Sequence, residues 1–496
     1  MKTASVFSDD MVLQRNKPVR VFGTGRENER ISVSILGNTA FAHVKDGKWE
    51  VVLPPMKETD SCTMEIKSEN EEIIFKNIAV GEVWLAGGQS NMEFELQNDK
   101  NGANALKTCG DEKVRYYYTN KCPMLDENLF ESEKYSFWKK ASPENSKNWS
   151  AVGYYFAREL SRKLNVTVGI IGCNWGGTSA SAWIPREYLE RDSRTEIYIR
   201  EYDKAVEGKT VSQMIDEYDE YLMRQAEWDR KKELLYMENP RIRWSEVIKI
   251  CGENEYPGPA GCKNPMRPCG LYETMISRVK PYTLRGFLYY QGESDDHRPE
   301  SYDVLLTSLI ECWRKDWKDE NLYFLNVQLP MFKYADDPDT KSWAVIRQAQ
   351  MKVFKNIKNT GLAAALDCGE FNNIHPLDKE PVGHRLYLQA LSEVYKIEKR
   401  INTLPPVFRE FYRENNEIIL VFDNCEGFKV YGDLKGFEIS YDGENYVNAD
   451  AEIRDDKIIL FAEKDREVKS VRYLWTNYSE VNLYGKNGLP VPGFIF

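Results

Sequence analysis

Six short apolar runs recur between residue 81 and about residue 400, at 82–86, 114–118, 166–172, 286–290, 322–328 and 362–367, with helix-forming stretches between them. Strands that alternate with helices close into βαβ units, because a parallel neighbour is reached only through a long crossover, so the core is expected to be a parallel sheet covered on both faces. Two of the intervening stretches read plainly as amphipathic helices. Residues 150–165 follow a serine cap with Val152, Tyr155, Phe156, Leu160 and Leu164 on one face, and residues 301–315 place Tyr302, Leu305, Leu306, Leu309 and Trp313 on one side. Such stripes are core surfaces.

Either side of this block the rhythm is that of short strands punctuated by Gly, Asn, Asp and Pro. Residues 1–80 read as an N-terminal β domain, 81–400 as the α/β domain and 401–496 as a C-terminal β domain. Within the α/β part, residues 186–262 break the pattern with a long charged stretch rich in Tyr and Glu, expected to be a helical insertion that ends in the Pro/Gly loop ENEYPGPAGCKNP.

The formal net charge of −11 argues against nucleic acid and anionic membrane as partners, since both require a basic face. No run approaches the ~18 apolar residues of a spanning helix, and MKTASVFSDDMVLQRNK lacks an apolar signal-like stretch, so a cytoplasmic location is expected. Ten scattered cysteines fit reduced thiols, and four histidines with no zinc-ligand spacing give no reason to expect a metal or other cofactor. The sequence does not speak to oligomeric state.

The run GEVWLAGGQSNMEF (81–94) sets a hydroxyl, Ser90, between two amides where a strand hands over to a helix. Read alone, Ser90 is either a helix cap or a nucleophile, and the G-x-S-x-G elbow is missing. A serine nucleophile needs an imidazole to take its proton. Of His43, His297, His375 and His384, the first lies in the N-terminal β domain and the last inside an expected helix, leaving His375, just past the last parallel strand, with His297 as rival. Ligand sites in open α/β sheets collect at the C-terminal strand ends, where Ser90, His375 and the loops GIIGCNWGGTSASAW (169–183) and GFLYYQGESDD (286–296) all fall. Those loops offer oxyanion donors in the backbone at Gly176 or Gly177 and in the Gln291 amide. Trp175 and Trp183 are either core or walls for sugar rings. Glu293 and Asp295 leave open a glycosidase with a carboxylate pair, and the aromatic β regions leave open a non-catalytic carbohydrate-binding protein. The two amides beside Ser90 are expected to hold the turn so that its oxygen faces a cleft.

Taken together, GQSNM, WGGT, YQGESD and IHPLDK…VGHRL, with the opening FSDDMVLQRNKPVRVFGTG and RPCGLYETMI, resemble the sialate O-acetylesterase-like branch of the SGNH hydrolases from about residue 5 to about 395. The resemblance implies a three-layer α/β/α, flavodoxin-like core with a parallel sheet, and an esterase that removes acetyl groups from sugar hydroxyls with no metal or cofactor. It implies Ser90 as nucleophile and His375 as base, with the Ser90 N–H, Gly176 or Gly177, and Gln291 in the oxyanion hole. Many SGNH hydrolases carry an aspartate three residues before the histidine, where Asn372 stands here. The orienting group is therefore expected to be the Asn373 carbonyl or a carboxylate among Glu293, Asp295 and Asp367, and a Ser–His dyad aided by backbone is the favoured form. The implied substrate is an O-acetylated mono- or oligosaccharide, sialic acid or a plant-derived chain. A sialic acid carboxylate would call for a cation such as Arg186, Arg267 or Arg278.

Overall fold

The computed structural model describes the chain except residues 112, 127–128, 130–132, 240–241 and 465. Its central strands are β1 (Glu72–Gly88), β2 (Val114–Tyr118), β3 (Val168–Asn174), β4 (Gly286–Tyr290), β5 (Tyr323–Gln328) and β6 (Thr360–Ala364). The helices that matter below are α1 (Ser90–Glu93), α2 (Ala151–Leu164), α3 (Ser193–Val206), α4 (Val211–Glu238), α5 (Trp244–Cys251), α6 (Tyr302–Asp316), α7 (Ser342–Asn356) and α8 (Glu380–Gln389). The six strands run parallel in the order β2-β3-β1-β4-β5-β6.

Alternation along β1 sets the layers. Trp84 turns to one face and meets Phe156 of α2 edge-on, with ring centroids 5.2 Å apart. Leu85 turns to the other, where its register partner Phe287 meets Trp313 of α6 at 5.3 Å. Helix α2 pairs with α8, and α6 with α7, which gives three layers, α/β/α. The chain leaves β1 toward β3 and β2 on one side and returns to β4 on the other. The C-terminal end of β1 is therefore a point where the winding reverses, the place where such sheets open a crevice.

The expected boundary at residue 80 lies inside β1. Residues 78–88 of this strand are buried throughout, so nothing in their environment ends the strand. Its first half pairs antiparallel with Thr59–Lys67, and Val12–Gln14 lies parallel against Ala79–Gly81. The run 362–367 behaves differently: β6 ends at Ala364, and Leu366–Cys368 form a single 3-10 turn. The insertion is helical as α3, α4 and α5, and α4 starts with a reciprocal cap between Thr210 and Gln213. Among the described residues, no helix is long and apolar enough to cross a membrane. The C-terminal strands build a core around Phe408, Ile418, Leu420, Ile458 and Phe494 that takes in Met331, Ala364 and Leu366 of the α/β unit. Asn477 fastens them further, accepting the backbone N–H of Phe332 at its carbonyl (2.9 Å) and that of Trp343 at Oδ1 (3.0 Å).

One buried charge ties the N-terminal segment to the sheet. Glu82, fully buried in β1, accepts from Arg15 Nε (2.7 Å), Arg285 Nε (2.9 Å) and Gln14 Nε2 (3.0 Å). Burial opposes its ionisation, but Arg285, Arg15 and Gln14 outweigh that and hold the carboxyl below its ordinary range. Glu82→Ala strands two guanidinium groups and is expected to cost about 3–5 kcal/mol, read as a lower denaturant midpoint.

Candidate active site

Strand β1 ends in Gly87 and Gly88. Gly88 sits at φ +133°, and a Cβ there would lie 2.1 Å from the Tyr290 carbonyl oxygen, so only glycine lets β1 close on β4 before the chain turns. Ser90 opens α1 immediately afterwards.

The amides on either side of Ser90 reach outward and fasten other loops. Gln89 Oε1 accepts from Gln291 Nε2 (3.1 Å) and from the backbone N–H of Ser294 (3.2 Å), while its Nε2 donates to Ser294 Oγ (3.1 Å). Asn91 Nδ2 donates to Glu293 Oε1 (2.6 Å) and to the Ile374 carbonyl (3.0 Å), and its Oδ1 accepts from Lys379 Nζ (2.5 Å). The residue after the hydroxyl thus holds the residue before His375.

His375 Nε2 lies 2.9 Å from Ser90 Oγ. With the ring proton on Nδ1, Nε2 accepts the serine O–H. Its loop is stiff. The His375 N–H donates to Asn373 Oδ1 (3.0 Å), and Glu370 accepts from Asn373 Nδ2 (2.9 Å) and from the Leu377 N–H (2.8 Å). Beyond the loop, the Lys379 N–H donates to Asp99 Oδ2 (2.7 Å). His375 faces an open cavity, yet the cavity walls desolvate its ring. That burial first, and the charge of Lys379 second, hold the imidazole below its ordinary range, while Glu93 pulls the other way.

Two charges lie under the pair. Glu293 is pushed up by burial, against the pull of Asn91 and Lys379, and its Oε2 has no hydrogen-bond partner among the described residues. Lys379 is 1% exposed, with its ammonium 4.7 Å from the centroid of the Phe94 ring; burial lowers it to about 8 against the attraction of Glu293.

Above them opens a cavity of about 1030 Å³ lined by Ser90, His375, Gly176 and Gly177 on its floor. The insertion supplies its far wall. Tyr198, Glu201 and Tyr202 come from one face of α3, and Trp244 from α5. Tyr256 from the Pro/Gly loop donates its hydroxyl to the Gly177 carbonyl (2.8 Å) and so seats the insertion on the floor. Both arginines of the lining are engaged: Arg298 with Glu201 (2.5 Å) and Arg267 with Glu273 (2.6 Å).

A family model described as carbohydrate esterase, sialic acid-specific acetylesterase, matches residues 263–386. Mouse and human sialate O-acetylesterases are each 25% identical to the chain, covering 99% of it and 93% and 92% of their own lengths. The crystal structure of a carbohydrate acetylesterase from Xanthomonas citri superposes with a TM-score of 0.78 at 26% identity, over 100% of this chain and 99% of that one. The chain is a carbohydrate O-acetylesterase, similar over nearly its whole length to the sialate O-acetylesterases. Its three-layer sheet is the SGNH-hydrolase arrangement, and its reaction is removal of acetyl groups from sugars.

Several residues of the esterase lie elsewhere than their motifs imply. Gln291 is fully buried. Its Nε2 is spent on Gln89, Thr178 and Asp295, and its Oε1 accepts from Tyr302, so it presents no donor to the cavity. The Gly176 N–H is taken by Glu93 Oε2 (2.7 Å). The N–H groups of Ser90 and Gly177 make no hydrogen bond among the described residues and border the cavity. None of the expected orienting groups bonds the His375 ring. Asn373 acts through its side chain on the backbone, Asp295 accepts from Ser179, Ala180 and Tyr198, Asp367 is clamped by Arg385, and Glu293 is bound to Asn91. Trp183 is core, donating to Thr178 Oγ1, and Trp175 lies half-buried under Lys121 rather than in the cavity lining. His297 borders the cavity beside Arg298, and His384 lies exposed on α8 against Glu159. Arg186 pairs with Asp203, and Arg278 donates to the carbonyls of Thr274 and Asn120, both outside the cavity lining.

Sequence reasoning missed Glu93, Glu370 and Lys379. Lys379 sat inside the motif IHPLDK, but a lysine defaults to the surface unless its partners are known. Because Lys379 helps hold the imidazole down, Lys379→Met is expected to raise the His375 pKa. With four histidines in the chain, an NMR titration resolves the shift, and an unmoved or lowered value contradicts this electrostatic account.

Proposed function

We propose that Ser90 and His375 carry out the deacetylation as a two-residue engine, and the observation that carries this is the 2.9 Å contact between Oγ and Nε2 on the cavity floor. His375 takes the Ser90 proton as Oγ attacks the acetyl carbonyl carbon. The carbonyl oxygen becomes an oxyanion, met by the N–H groups of Ser90 and Gly177. The C–O bond to the sugar then breaks, and the leaving hydroxyl receives the proton from Nε2. Water, deprotonated by His375, attacks the acetyl-serine carbonyl; the C–Oγ bond then breaks, Oγ takes the proton back from Nε2, and acetate leaves. A dyad suffices here because the peptide before His375 is held at both its N–H, by Asn373, and its carbonyl, by Asn91, while Glu370 holds the Leu377 N–H beyond it.

The substrate we propose is a neutral acetylated oligosaccharide. A cavity of about 1030 Å³ far exceeds an acetyl group, and its aromatic wall of Tyr198, Tyr202, Trp244 and Tyr256 suits sugar faces. Glu201 and Asp296 line it, and both of its arginines are already paired, which leaves a sugar carboxylate without a counter-charge. Its ten cysteines, scattered along a large chain, favour a reducing compartment such as the cytoplasm.

With a small aryl acetate, Ser90→Ala is expected to lose activity by at least ~10³-fold and His375→Ala by ~10²–10⁴-fold. His384→Ala serves as a control that keeps it. Near-wild-type turnover by Ser90→Ala overturns the mechanism. Acetate release from acetylated xylo- and manno-oligosaccharides is expected to exceed that from acetylated sialic acid, and the reverse order overturns the neutral-sugar reading. A falling pH protonates His375, so kcat/KM is expected to drop on the acid side, at a pH below the ordinary histidine range.

A further inference from the structure

A second depression, of about 480 Å³, lies beside the catalytic cavity and plays no part in the chemistry above. It sits at the C-terminal end of β2, on the same sheet rim as Ser90. Only β3 separates β2 from β1, a distance of roughly 10 Å at ordinary strand spacing. Glu93 forms the partition. It lines this groove, while its Oε2 holds the Gly176 N–H at 2.7 Å, and a Cβ at Gly176 would sit 3.2 Å from that of Ser90. One carboxylate side chain therefore stands between the groove and the reacting hydroxyl.

Two aromatic side chains stand exposed at this groove, close together in sequence. Tyr135 is 76% exposed and Phe137 47% exposed. Beneath them Trp149 is stacked on Tyr116 (5.1 Å, 15°), so the base is rigid. The rest of the lining is Tyr118, Ser136 and three asparagines, with three lysines (Lys121, Lys139 and Lys147) balanced by three carboxylates (Glu93, Glu95 and Glu144), which favours no charged ligand. Apolar flats beside short polar groups match a neutral pyranose, which carries C–H bonds on one face and hydroxyls around its rim. Concave sites with aromatic surface and a few convergent polar groups are where small polar ligands bind.

We infer that this groove is a sugar-binding subsite that holds neutral sugar residues of the same chain whose acetyl ester lies at Ser90, one or two rings away. The inference rests on the oligosaccharide reading of the main cavity. It makes the enzyme sensitive to chain length, with Tyr135 and Phe137 as the stacking platforms.

The test compares acetylated neutral oligosaccharides of four or more rings with the acetylated monosaccharide of the same sugar. In Tyr135→Ala and Phe137→Ala, kcat/KM on the oligosaccharide is expected to fall about 5- to 10-fold per ring removed, mainly through KM, while the monosaccharide and aryl acetate change less than about twofold. Equal losses on long and short substrates, or none on either, overturn the subsite. Calorimetric titration with the unacetylated oligosaccharide decides independently of turnover: the subsite requires weaker binding by Tyr135→Ala than by the wild-type chain, and identical affinities refute it. Failure of the catalytic reading looks different, since Ser90→Ala would then keep its aryl acetate activity whatever the groove variants do.

Discussion

The contact between Ser90 and His375 depends on two primary amides. A side-chain amide carries a donor and an acceptor on one rigid plane, and Gln89 and Asn91 use both ends. Gln89 grips the loop after β4, and Asn91 joins Glu293, the Ile374 carbonyl and Lys379. An aspartate at position 91 would lose both donors and face Glu293 with a like charge. A leucine would leave three buried polar groups unpaired. Buried networks of this kind are strong when complete and costly when broken, so the three loops behave as one object.

The same network settles where charge sits below the floor. Burial drives Glu293 up and Lys379 down, so each group is drawn toward its neutral form, and their mutual attraction through Asn91 opposes this. Replacing such a buried pair by apolar groups is often harmless to stability, which argues that its value lies elsewhere. Its position, one amide away from the Ser90 backbone and close enough to bias His375, indicates what that value is: a cation that keeps an imidazole ready to accept a proton.

Much of this architecture was legible in the sequence because it follows from local pattern. The runs at 114–118 and 286–290 are β2 and β4 to the residue, since strands buried on both faces read as short apolar and aromatic runs, here interrupted only by Arg115. That Ser90 and His375 share a rim follows from the rule that places sites at the carboxyl ends of parallel strands. What pattern could not show was the direction of individual side chains. Gln291 follows β4 as a donor-bearing residue should, but a turn through Gly292 at φ +146° sends it inward, where three acceptors wait. Trp183 could equally have been wall or core from its type alone. The boundary at residue 80 fell inside β1 because the local bend near it, at Asn77 with φ +54°, is a bulge that the strand passes through without ending.

Strand β1 spans 17 residues, roughly 56 Å at ordinary strand rise, and carries the N-terminal strands at one end and the catalytic hydroxyl just past the other. It bends once, at Asn77 (φ +54°), where its register against Thr59–Lys67 shifts, yet the hydrogen-bonded strand continues through the bend. The N-terminal β region and the sheet thus share one strand, and dividing the chain within it would leave half a strand on each side. Losing or gaining one residue within β1 would exchange the neighbours of Trp84 and Leu85, turning the whole downstream sheet inside out. Sequence drift in this esterase should therefore be free to trim loops but not this one strand.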